Sequence, residues 1–196
     1  MTTISSEQKK HLILEYEREF ANRLAVKVLD KPKPPLWMIF IPIFFVFFAQ
    51  KMSQYKAGLA DFVENHLKAR RRALNKALEV REGGGMIDAA SLEDMAATIP
   101  DAAKAPYLRW MSVLVEHYVE LLSARGESFK GLIRTGYQSK TNYLLLCNNL
   151  NTAEKAYNQA LLPGLDGDAQ DLRAVVERMD AWVVELRRQD ANGFFS

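Results

Sequence analysis

Pro106–Leu122 reads PYLRWMSVLVEHYVELL. Leu108, Met111, Val115, Tyr118 and Leu122 recur at alternating steps of three and four, the spacing of a helical seam. No strand-like alternation interrupts it, and two further seams follow in the same chain. Phe129, Leu132, Gly136, Ser139, Tyr143, Leu146, Leu150, Ala153, Tyr157 and Ala160 keep the steps without a stutter, which predicts one helix over 127–162, with Asn148–Asn151 as its weakest stretch. Pro163-Gly164 ends it, and Asp168 is placed to cap a last helix with seam Leu172, Val175, Met179, Trp182 and Leu186. The expected fold is all-α: long helices, with a C-terminal antiparallel three-helix, coiled-coil-like bundle over 106–190 and a tail over 191–196.

Upstream, 83–105 reads as a linker. It opens on Gly83-Gly84-Gly85 and holds one short helix, with Ser91 at a capping position. Residues 1–82 form a separate unit in this reading. Ser5 and Gln8 have capping-box spacing, and Ile13, Tyr16, Phe20, Leu24 and Val28 make one apolar stripe. The prolines of Asp30–Pro35 stop that helix. A second stripe runs through Tyr55, Leu59, Phe62, Val63, Leu67, Leu74 and Leu78, and Lys68, Arg70, Arg71 and Arg72 add a basic cluster that reads as a solvated helix face or as part of a polybasic flank on anionic lipid.

Between the two stripes lies the most apolar stretch of the chain, Leu36, Trp37, Met38, Ile39, Phe40, Ile41, Pro42, Ile43, Phe44, Phe45, Val46, Phe47, Phe48 and Ala49, 14 of the 196 residues without a polar side chain and with five of the ten Phe. Three readings compete for it. A transmembrane helix needs about 20 apolar residues, so a span must draw on 34–52. A bend at Pro42 gives a re-entrant wedge with both flanks on one side. A buried core helix needs enclosure on every face. Basic residues are equally frequent on the two flanks, with no positive-inside bias. Lys31, Lys33, Lys51 and Lys56 are candidate head-group contacts.

Charge is divided unevenly: residues 1–82 carry a net +6 and 83–196 a net −4, within an overall +2. The basic, apolar half suits an anionic membrane surface. One Cys excludes an intramolecular disulfide, and the small net charge argues against a nucleic-acid partner. Chemistry is sparse. His117 and Glu120 share a helix face, but the Glu-x-x-His pair of a metal bundle is missing. Asp166–Asp171 resembles a calcium loop with Asp171 where Gly belongs. Cys147 reads as a small buried hydrophobe. No catalytic motif, cofactor or metal site is expected. The expectation is a non-enzymatic scaffold, adaptor or self-assembling protein held on the cytoplasmic membrane, its bundle facing the cytoplasm and meeting a protein partner or a second copy. The alternatives are a soluble bundle with Leu36–Ala49 as its core helix, and a metal-binding bundle using Glu116, His117 and Glu120.

Overall fold

The computed structural model describes residues 4–31, 43–83, 92–164 and 169–196, and these are all-helical. Among the described residues six α-helices follow one another: α1 (Ser6–Val28), α2 (Ile43–Gly83), α3 (Asp101–Ser123), α4 (Phe129–Tyr137), α5 (Lys140–Leu161) and α6 (Ala169–Phe195). Single 3₁₀ turns stand at Asp94–Ala96 and Leu162–Gly164.

Helix α1 starts on the expected capping box. The Ser5 hydroxyl accepts from the Gln8 amide, and the Gln8 side chain accepts from the Ser5 amide. Its stripe is the expected one, with Ile13, Phe20, Leu24 and Val28 all at most 3% exposed. Helix α2 is described as far as Gly83, and Gly84 and Gly85 lie outside the described residues. Ser91 and Asp168 lie outside the described residues, so neither cap is described.

The seam of α3 lies at the centre. Met111, Leu114, Val115, Tyr118 and Leu122 are fully buried. They pack with Ile13 of α1, Ala73, Leu74 and Ala77 of α2, Leu132 and Ile133 of α4, and Tyr143, Cys147 and Leu150 of α5 in one core. Helix α3 packs mainly on α2 and α5, while α6 packs on α5 and α1. The three C-terminal seams therefore do not close on themselves. Helices α1 and α2 complete the bundle. Side-chain pairs set the directions: α1 runs against α2 (Ser6 with Arg81, Arg18 with Glu64) and against α6 (Arg23 with Asp190, Asp30 with Arg178).

The single helix expected over 127–162 is two helices. The break falls at Gln138-Ser139 instead of Asn148–Asn151. Gln138 sits at φ 61°, and it is the only non-glycine residue with positive φ among those described. Ser139 is extended, and its hydroxyl accepts from the Asn142 amide to start α5. The Asn142 side chain donates back to the Tyr137 carbonyl, satisfying an orphan group at the end of α4. Ser139 also occupies a seam position, so periodicity runs through the break unchanged. Two further seam positions are shifted: Val175 is 40% exposed, and Cys147 is buried where Leu146 was expected. Helix α6 continues to Phe195, through the expected tail, and Arg134 of α4 donates to the carbonyls of Phe194 and Ser196.

Lys9 provides a long-range cap. Its ammonium is buried and donates to the carbonyls of Leu122 (2.7 Å) and Ala124 (2.6 Å) at the C-terminus of α3. A cation there meets the orphan carbonyls and the negative end of the helix dipole.

Candidate functional site

Helical stripes leave most core positions apolar, yet five polar side chains, one from each long helix, meet inside this bundle. Arg70 of α2 donates from Nε to Glu17 Oε2 of α1 (3.3 Å) and from Nη2 to Glu154 Oε1 of α5 (2.8 Å). Arg187 of α6 donates from Nη2 to the other Glu154 oxygen (2.7 Å) and from Nη1 to Asn151. The Tyr118 hydroxyl of α3 donates to Glu17 Oε1 (2.7 Å). The four charges alternate in sign and sum to zero.

Arg70 is 2% exposed and lies 5.2 Å from the centre of the Trp110 ring. Burial alone would raise the Glu154 carboxyl, but Arg70 and Arg187 hold it down at about 2. Burial likewise opposes ionisation of Glu17, and His66, Arg70 and the Tyr118 hydroxyl outweigh it, keeping this carboxyl well below the usual range. His66 Nε2 stands 3.7 Å from Glu17 Oε2, with its ring stacked near Phe20 and Phe62. Burial, then Arg70, lowers the His66 pKa.

Arg70 was expected on a solvated basic face. Lys68 and Arg72 are exposed, but Arg70 points into the core. The signal was in the register: Arg70 falls between Leu67 and Leu74 on the apolar stripe. Glu17 likewise falls between Ile13 and Phe20, and Arg187 between Val183 and Ala191. A charge at a stripe position requires an opposite charge from another helix, because an unpaired buried ion is too costly.

A second polar group lies where α3 passes the α4–α5 corner. Here Glu116, His117, Glu120, Gly136, Tyr137, Gln138 and Asn142 line an open cleft of about 340 Å³. His117 is buried, with Nδ1 2.6 Å from the Tyr137 hydroxyl. Glu116 and Glu120 are exposed, and Glu116 accepts from Ser112. The three residues considered for a metal therefore do not converge, and no group of His, Cys, Asp or Glu able to hold a metal ion occurs among the described residues. Burial lowers the His117 pKa to about 4. The unfolded imidazole has the higher pKa and takes up a proton first on acidification. His117 thus destabilises the fold as pH falls from about 6.5 towards 4. By NMR, the His117 ring signals are expected to stay in the neutral form from pH 8 to 5. Burial pushes the Cys147 thiol pKa up, so it stays protonated and unreactive.

Of the expected insertion residues, Leu36–Pro42 lie outside the described residues. The backbone of Ile43–Ala49 forms the first turns of α2, and the side chains there lie outside the description. Lys33 and the Lys51 side chain also lie outside it. Lys31 and Lys56 are exposed. Among the described residues, no helix is long and apolar enough to cross a membrane.

The start of α2 nevertheless has a distinctive position. Leu29, just past the end of α1, lies against Gly58, where an added Cβ would meet Leu29 Cδ1 at 3.9 Å. Helix α2 continues from there to Ile43, which is about 22 Å by the helix rise. No residue over 52–62 is buried; burial begins at Val63. The N-terminal part of α2 is therefore an arm that extends past the end of α1.

Comparison with protein families, with curated proteins and with solved structures finds no match for this chain.

Proposed function

We propose that the chain is a membrane-attached helical bundle, a non-enzymatic scaffold that enters the bilayer from one side through the arm of α2 and the apolar residues that precede it. The observation that carries this reading is the packing of α1 against α2. Arg18 with Glu64, Glu17 with Arg70 and Leu29 with Gly58 keep the two flanks of Leu36–Ala49 side by side. Two helices in contact lie on the same side of a bilayer. Of the membrane readings, this favours the re-entrant wedge over a span, with the bundle and both ends of the chain on the cytoplasmic side. Attachment raises the local concentration of whatever the bundle binds. A groove of about 330 Å³ between α5 and α6, lined by Asn151, Lys155, Asp180, Val183 and Val184, offers a surface for a protein partner or a second copy.

Replacing Phe44 and Phe47 by Lys tests the attachment. Each Lys costs about 2.5–3.5 kcal/mol at the centre of an inserted helix. The double variant is expected to leave the vesicle fraction in flotation while keeping its helical circular dichroism. A folded double variant that still floats with the vesicles overturns the reading.

A further inference from the structure

Four large hydrophobic side chains are exposed among the described residues, and two of them, Val26 (53%) and Val175 (40%), belong to the end of the bundle from which the arm rises. Arg178, three positions after Val175, donates to the Val28 carbonyl and to Asp30, which places this part of α6 beside the end of α1. Trp182 follows one turn later, half-buried, with Lys27 Nζ 4.6 Å from its ring centre. Several cations on these helices are neutralised: Arg23 by Asp190, Arg18 and Arg71 by Glu64, and Arg178 by Asp30. Lys27, Lys31 and Lys56 are exposed and form no ion pair among the described residues. The nearby carboxylates Glu177 and Asp180 line the α5–α6 groove.

Unpaired lysines, an indole and exposed aliphatic side chains at one end of a bundle form a surface complementary to anionic head groups over an apolar interior. We propose that this end of the bundle rests on an anionic bilayer surface, with Lys27, Lys31 and Lys56 on the head groups and Trp182 at the interface. The proposal rests on attachment through the arm and adds to it an orientation: α6 contacts the lipid with its N-terminal half, although it is distant in sequence from the apolar run. The lysines account for a preference for acidic lipid, and the arm for attachment itself.

The test uses the full chain and vesicles of phosphatidylcholine, alone or mixed with phosphatidylserine. With Trp37→Phe in place, the remaining indoles are Trp110, which is buried at 6% exposure, and Trp182. Bromine atoms placed on the acyl chains near the head groups are expected to quench this variant. Adding Trp182→Phe is expected to remove the quenching. K27E/K31E/K56E is expected to weaken binding to the acidic vesicles about 10²-fold at low salt, at roughly five-fold per cation, and to leave binding to the neutral vesicles unchanged. Vesicle-bound W37F protein with no quenching at Trp182 overturns the proposal, as does equal binding of the unsubstituted chain to neutral and acidic vesicles. Either outcome leaves the attachment reading standing. A chain that binds neither kind of vesicle overturns both.

Discussion

Arg70→Met is expected to lower the unfolding free energy by about 3–5 kcal/mol, the cost of removing one partner from a buried ion pair. The loss falls unequally on its two carboxylates. Glu154 keeps Arg187, whereas Glu17 keeps only the Tyr118 hydroxyl and a largely neutral His66. Urea titration of R70M, E17Q and R70M/E17Q should therefore show strong coupling, with the double variant more stable than R70M. Losses that simply add would mean that the two side chains do not interact.

The same series has a pH signature. In the native chain Glu17 and Glu154 ionise more readily folded than unfolded, with Glu154 near 2. Their contribution is complete above the unfolded carboxyl pKa, about 4.3, and is lost as pH falls from there through the folded values. In R70M the stranded Glu17 carboxyl prefers its neutral form, so its folded pKa lies above the unfolded value. Acidification from neutrality then relieves the variant, and the stability gap between it and the native chain narrows towards pH 4. A gap constant from pH 7 to 4 would contradict the assignment.

Ile13→Ala is expected to cost about 2–5 kcal/mol, the range for truncating a fully buried aliphatic side chain. Ile13 belongs to α1, yet its neighbours in the core come from α2, α3, α4 and α5. Two probes report on different parts of that core: far-ultraviolet circular dichroism on all helices, and, with W37F and W182F in place, fluorescence on Trp110 at the α3–α5 contact, where its ring stacks on Tyr157 at 5.2 Å. Both transitions should shift together in I13A. If α1 were a unit apart from the C-terminal helices, the Trp110 transition would stay in place.

The sequence resolves helices more readily than it resolves their partners. Stripes such as Ile13–Val28 and Leu108–Leu122 are local, because three- and four-residue steps put those side chains on one face whatever packs there. The capping box at Ser5 and Gln8 is equally local. Partner choice is not: the same periodicity suits a three-helix core and the larger bundle in which α1 and α2 complete α3. The break at Gln138-Ser139 is hidden because both halves keep one register. Its trace in the sequence is Ser139 three residues before Asn142, a cap pattern inside an apparently continuous seam. Arg70 is hidden by its neighbours, since three consecutive arginines read as a solvated face until the central stripe is followed from Leu67 to Leu74.

The ionic quartet also bears on the order in which a ribosome delivers this fold. Glu17 is synthesised early, Arg70 and Glu154 later, and Arg187 last. Until α6 has emerged, Glu154 lacks one of its two guanidinium partners and the nascent chain cannot complete its core. The Lys9 cap has the same logic on a shorter scale, because its acceptors are 113 and 115 residues away. Contacts so distant along the chain form late and slowly. Leu36–Ala49 therefore leaves the exit tunnel well before the bundle can close.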